Sequence, residues 1–259
     1  MKIIIFTQDD PFYINHSVLS FLSQINDEIV VDTVYLTEQS PFGSKKSFFN
    51  KAATTFQIFG TKFFLFYGIH YALSKLFNKS MSNKLKSMGF RVQPNCTNPN
   101  EEEICNYIQN NDIDLCISIA CNKIFKADLI GAPNIGFLNL HTSELPKHAG
   151  LMPVFWALYN QDKKIGVTVF QVDEGIDTGP ILLQEYMDIT SSSLRKNILL
   201  TKDIGVNLLV KSIELINKTY AEGKDVSSLF KNQNGKGNYN QFPTRKQVRE
   251  FLDNGGRLP

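Results

Sequence analysis

Neither sign of charge dominates this sequence. It holds 27 Lys and Arg against 25 Asp and Glu, a net of +2. The chain therefore lacks the strong basic footprint of a tight nucleic-acid binder, and no nucleic-acid partner is expected. Local basic charge remains available for an anionic small molecule. Cysteine is scarce: Cys96, Cys105, Cys116 and Cys121 form no Cys-x-x-Cys pair, and no histidine pair stands at zinc-finger spacing. Four reduced thiols in a cytoplasmic protein, with no metal, are the expectation. Long apolar runs are also missing. Residues 63–73 are apolar except for His70, and Lys62 and Lys75 bracket them. That run falls short of the ~20 residues that span a bilayer, so no stable membrane insertion is expected. The opening run Met1–Phe6 is too short for a signal peptide and reads as a strand.

What is present is ample apolar material. The chain is 42% hydrophobic and 20% charged over 259 residues, enough for one main core with a small appendage and too apolar for wholesale disorder. Residues 2–7, 29–36, 89–92, 113–120 and 134–140 read as strands. Residues 14–22 and 101–110 read as helices, the latter with Asn98 or Asn100 as its cap. The aromatic-rich stretch 45–78, with Phe48, Phe49, Phe56, Phe59 and Phe77, reads as a helical insertion. It would cover a core face, form a homodimer interface, or lie shallowly at a membrane surface. Further on, 154–159 reads as a short helix, 166–172 and 181–187 as strands, and 194–220 as a long amphipathic helix. Residues 232–240, polar and Gly-rich, read as a mobile linker. A last helix is expected at 244–252, capped by Thr244. Strand–helix alternation of this kind favours a mostly parallel α/β sheet, with the ligand site beyond the carboxyl ends of the strands. The expected division is a catalytic domain over 1–190 and a helical C-terminal extension over 191–259.

Two polar runs fall at such strand ends. In Asn139-Leu140-His141, residues two apart share one face of a strand, so the amide and the imidazole project together. Histidine moves protons near neutral pH, and an amide N–H can stabilise an oxyanion, which suits attack on a carbonyl. The same pair could instead merely close a loop. The second run is Asp173-Glu174-Gly175-Ile176-Asp177-Thr178-Gly179-Pro180. Its carboxylates lack the later ligands of a calcium loop, and a solvated turn is the plain alternative.

Together the two runs resemble the formyltetrahydrofolate-dependent formyltransferases. That family carries Asn-x-His-x-Ser-x-Leu-Pro, then a Gly and a Pro, then Asp-x-Gly-x-Asp-Thr-Gly. This sequence supplies Asn139, His141, Ser143, Leu145-Pro146, Gly150, Pro153, then Asp173, Gly175 and Asp177-Thr178-Gly179. The resemblance spans about 113–190. It implies a Rossmann-like formyltransferase domain, an Asn139–His141–Asp177 catalytic set, and N10-formyltetrahydrofolate as co-substrate. It also implies folate contacts largely through the backbone of two loops. Here these are Ala120, Cys121, Asn122, Lys123 and Ile124, and Val172, Asp173, Glu174 and Gly175 leading to Asp177. Two positions depart from the family: Ala149 stands where an Arg is common, and Phe170 where a His is common.

The resemblance leaves the acceptor to other features. Only about 70 residues follow Met187, too few for the barrel of the methionyl-tRNA formyltransferases. The loop Thr7-Gln8-Asp9-Asp10-Pro11-Phe12 has no glycine and two acids, a poor phosphate cradle. The run Gly150–Trp156 and the tail Tyr239–Thr244 look similar to sugar N-formyltransferases, so a nucleotide-linked amino sugar is the expected acceptor. The tail has a plainer reading too, as a strap packing Phe242 and Phe251 on the core. Tyr239, Arg245 and the lysines near 45–51 are candidates to touch the nucleotide. Other readings are a methionyl-tRNA formyltransferase-like enzyme, a formyltetrahydrofolate hydrolase, a non-catalytic nucleotide-sugar binder, and a metal-dependent hydrolase using His141, His148 and Asp177.

Overall fold

The computed structural model describes residues 1–37, 48–76, 80–235 and 237–259, without the side chains of 48–51 and 75. The expectations for Phe48, Phe49, Phe77 and the lysines near 45–51 therefore lie outside the described residues. The chain order is β1 (Lys2–Gln8), α1 (Ile14–Gln24), β2 (Val30–Thr37), α2 (Phe48–Leu76), α3 (Met81–Ser87), β3 (Val92–Gln93), α4 (Glu102–Asn110), β4 (Leu115–Ile119), α5 (Ala127–Ile130), β5 (Gly136–His141), β6 (Ala149–Gly150), α6 (Pro153–Tyr159), β7 (Lys164–Gln171), β8 (Ile181–Asp188), α7 (Leu194–Ala221), β9 (Tyr239–Asn240) and α8 (Arg245–Asp253).

Seven strands form one sheet in the order β3-β2-β1-β4-β5-β7-β8. The first five pair in parallel, and β7 and β8 join antiparallel. This is the α/β, mostly parallel architecture expected from the sequence. Every residue of β4 is buried, which is why it reads as an unbroken apolar run: helices cover both of its faces. On one face, Ile3, Ile5, Ile117, Leu138 and Leu140 pack with Val18 and Phe21 of α1 and Val206, Leu209 and Ile213 of α7. On the other, Ile4, Phe6 and Phe137 pack with Phe125, Leu129 and Ile108. Gly205 lets α7 approach the sheet, since a Cβ there would sit 3.0 Å from the Leu140 side chain. Thus α7 is built into the main core.

Two local expectations need correction. The α4 N-cap is Glu101, with no side-chain cap bond. Asn98 instead accepts from the Asn100 backbone N–H, and Asn100 donates to the Ile124 carbonyl and accepts from Lys126 N–H. The Asn100 side chain ties the 124–126 loop to the start of α4. Helix α2 covers most of the stretch read as helical, with a break at Gly60, where φ is +82° and ψ −178°. The second correction is that the expected linker is docked: Tyr239 and Asn240 form β9, paired in parallel with β6.

The C-terminal segment also carries a strap. Phe251 is buried and Phe242 partly so, against Phe155, Trp156 and Phe59. Trp156 Nε1 donates to the Gln241 carbonyl at 3.0 Å. Thr244 and Gln247 form a capping box at the start of α8.

The loop after β1 places a carboxyl in the core. Asp10 is buried and accepts the Phe12 N–H at 2.6 Å. Burial pushes its pKa up to about 6, against the pull of that N–H and of Lys202. Burial lowers Lys202 to about 8, and Asp10 opposes that shift. A carboxyl whose pKa rises on folding adds stability below its unfolded value, and that contribution is lost as pH rises through about 6. Asp10→Asn should therefore gain stability relative to wild type between pH 5 and 7.5, by about 1 kcal/mol. Urea denaturation at the two pH values measures this, and an equal difference at both would contradict it.

Candidate active site

Strand β5 presents its odd-numbered residues to the face opposite α7. Leu138 and Leu140 enter the α1–α7 core, so Asn139 and His141 point the other way at the strand's carboxyl end. Asn139 sits opposite Phe170 of β7, and His141 opposite Thr168. Phe170 is buried with Leu145, Ala149 and Ile181, so at this position the chain has apolar packing where the family often has an imidazole. The Asn139 carboxamide makes no hydrogen bond among the described residues. It is half-buried and free to donate to a ligand.

Asp177 arrives from the β7–β8 connection. Its Oδ2 lies 3.7 Å from His141 Nδ1, both side chains being 11% exposed. That is an ion-pair separation, longer than a hydrogen bond. The other ring nitrogen, Nε2, lies 3.2 Å from the His148 carbonyl oxygen. Both imidazole nitrogens thus face oxygen acceptors. The structure brings all three residues expected to be catalytic to one place.

The Asp177 loop is held at several points. Its Oδ2 accepts the Gly150 N–H at 2.7 Å. Asp177 has φ +56°, a conformation that costs a non-glycine residue and so needs such restraint. Asp173 Oδ1 accepts from Gly175 N–H and from Thr178 Oγ1. At Gly179 a Cβ would lie 1.7 Å from the Gln171 carbonyl, so no side chain fits there. Gln233 then donates from Nε2 to the carbonyls of Asp177 and Gly179, at 2.9 and 2.8 Å.

Sequence reading missed Gln233, because a polar, Gly-rich stretch gives no periodicity. It also missed the restraints on β6. Gly150 has φ +90°, and a Cβ there would lie 2.4 Å from the Asn240 carbonyl and 2.8 Å from the Tyr239 ring. Glycine is required where strand β9 crosses. His148 is buried, with Nε2 2.7 Å from Asp162 Oδ2, and Lys147 Nζ lies 2.8 Å from Asp162 Oδ1. Burial works against the Asp162 charge, but the bonds from Lys147 and His148 outweigh it and hold the carboxyl below its ordinary range. His148 thus turns its ring to Asp162 and only its carbonyl to His141. The three side chains of the metal-hydrolase reading do not converge, and the described residues contain no group of three potential ligands placed to hold a metal ion.

The two expected cofactor loops border one another. Cys121 and Val172 both pack on the cluster of Phe6, Phe125 and Phe137. Ala120 opens the first loop at φ +54°, and Asn122 Nδ2 reaches Gln8 Oε1 at 3.4 Å. Ile124 and Ile176 are exposed on the two loops, apolar surface of the kind a flat heterocycle covers. Burial pushes the Cys121 thiol up to about 12, so it is no thiolate nucleophile.

Residues 66–205 match the family model described as formyl transferase. The chain belongs to the formyl transferase family. Its curated relatives include methionyl-tRNA formyltransferases from Fusobacterium nucleatum, 38% identical over 115 residues, and Deinococcus radiodurans, 43% identical over 82. These matches cover 43% and 32% of this chain and 36% and 26% of the relatives, so the chain spans little more than a third of their length at most. Solved structures with a similar fold include a phosphoribosylglycinamide formyltransferase from Bacillus halodurans, at TM-score 0.59 and 19% identity, covering 85% of this chain and 97% of that one. A sugar N-formyltransferase from Shewanella gives TM-score 0.56 at 18% identity, covering 97% of this chain and 87% of that one.

For this family member, removing the Gln233 restraint should disturb the site without disturbing the core. Gln233→Ala should lower kcat by ~10-fold, since small displacements of positioned groups are costly. Its melting temperature should stay close to wild type. Stopped-rate assays with a thermal melt check this, and an unchanged kcat would show that the strap contributes nothing to the site.

Proposed function

We propose that this formyltransferase moves the formyl group of N10-formyltetrahydrofolate to the primary amine of a nucleotide-linked amino sugar. The observation that carries the formyl-transfer reading is the convergence of Asn139, His141 and Asp177 at the end of β5. The co-substrate supplies an amide-like carbonyl carbon open to attack by an unprotonated amine. Asn139, whose carboxamide has no competing partner among the described residues, donates to the carbonyl oxygen as it gains negative charge. His141 in its protonated form adds a second donor from Nε2, exchanging the His148 carbonyl for that oxygen. Asp177, fixed by Gly150 and Gln233, orients the ring through Nδ1 and balances its charge. The pair carries the proton from the attacking amine toward the leaving nitrogen. The backbone groups of 120–124 and 172–177 are the proposed folate contacts, with Cys121 and Val172 fixing their spacing. Asn139→Ala, His141→Ala and Asp177→Ala should each lower turnover by ~100-fold or more while the fold survives. A His141→Ala variant of near-normal rate, by formyl-transfer assay, would overturn these assignments.

The sugar reading draws on the C-terminal region. A 4-N formyltransferase from Francisella tularensis, like the Shewanella protein, is covered to 86% while 97% of this chain is used. At 97% coverage of this chain, the C-terminal region falls largely within the aligned length. The acidic β1 loop also offers no anion cradle. On this reading the sugar-enzyme extension is the part of 191–259 that follows α7, since α7 itself belongs to the main core, and Tyr239 and Arg245 remain candidates for the nucleotide. The second reading, a methionyl-tRNA formyltransferase-like enzyme, is favoured by the curated relatives, whose identities exceed those of the structural neighbours. An acceptor panel with formyltetrahydrofolate separates the two. Turnover on nucleotide-linked amino sugars is expected, and turnover on methionyl-tRNA alone would reject the sugar reading.

A further inference from the structure

The charge of this chain is unevenly placed. Between Gln39 and Asn100 there is no Asp or Glu, yet eight lysines and one arginine fall there. This segment carries +9, so the remainder of a chain of net +2 carries −7. Helix α2 lies at its centre. The inner face of α2 is anchored: Phe63 stacks on Phe59 and Tyr67, Tyr67 meets Phe12 edge-on, and Phe66 lies under Arg195. The outer face is apolar and uncovered. Leu65, Ile69, Leu73 and Leu76 are 44 to 76% exposed. At 3.6 residues per turn these four fall within an arc of about 80°, and Lys62 falls inside the same arc. Lys62 is exposed, as are Lys84 and Lys86 on α3 beside it in sequence. None of these three forms an ion pair among the described residues. Among the described residues no helix is long and apolar enough to cross a membrane.

We propose that the outer face of α2 docks on an anionic lipid bilayer surface. Leu65, Ile69, Leu73 and Leu76 would enter the acyl boundary while the surrounding lysines meet the headgroups. An apolar helical stripe that carries Lys62, within a stretch of sequence rich in lysine and free of acids, matches what such an interface offers. A second copy of the chain fits less well. A two-fold interface sets the same surface against itself, which would oppose one +9 segment to another. A nucleic acid would engage the lysines and leave the apolar stripe unpartnered.

The test is co-sedimentation of the full chain with phosphatidylcholine vesicles, with and without phosphatidylglycerol, at low and high salt. Partition onto the anionic vesicles at low salt is expected. The triple variant Leu65→Ser/Ile69→Ser/Leu73→Ser should reduce it by ~10-fold or more. Lys62→Glu/Lys84→Glu/Lys86→Glu should do the same. These side chains are exposed, so both variants should keep the wild-type rate of formyl transfer in solution, which confirms that they fold. No partition, equal partition onto neutral vesicles, or partition untouched by the serine variant would each overturn the proposal. So would sedimentation equilibrium finding a dimer in wild type that the serine variant abolishes, without lipid binding.

Discussion

The site depends on the hydrogen bond from the Gly150 N–H to Asp177 Oδ2 at 2.7 Å. It joins two segments that the chain keeps far apart. On one side stands β6, which must be glycine at 150 so that β9 can cross it. On the other stands a loop with a left-handed residue at Asp177 itself. Without that bond the carboxylate would have no fixed place beside His141. Around it, Gln233 holds the same loop from the C-terminal side, and β9 holds β6. The C-terminal region thereby becomes a structural partner of the chemistry, although none of its side chains is among the three that would act on the formyl group.

Much of the sheet was legible in the sequence because its strands are buried on both faces. Strands β1 and β4 are apolar nearly throughout, and that pattern needs no tertiary knowledge to read. The Asn139–His141 pair was legible through the alternation of a strand, and its link to Asp177 only through the family pattern. Spacing alone could not bring a β5 residue and a β7–β8 loop residue together. The parts that escaped are those set by contacts distant in sequence. Strands β6 and β9 are two residues each, too short for any periodicity. Gln233 lies in a stretch whose composition resembles a free linker, and only its two carbonyl partners reveal otherwise. Asn98 and Asn100 suggested a helix cap by type, but both are engaged at a loop crossing instead.

The remaining balance is electrostatic. The buried Asp10 and half-buried Lys202 set two opposed charges together where α7 meets the loop after β1. The basic segment around α2 meets the acidic loop after β1, where the Met81 N–H donates to Asp9 Oδ1. Its apolar outer face is not needed for the core, since the inner face already packs on Phe12 and Phe242.

The proposed chemistry requires Asp177 to act through its charge on His141. Single-turnover formyl transfer by Asp177→Asn is the most direct measurement. The amide can still accept the Gly150 N–H, so the loop keeps its place while the charge is gone. A rate as low as that of Asp177→Ala is expected, with a melting temperature near wild type. A rate near wild type for Asp177→Asn would contradict it, because geometry without charge would then suffice.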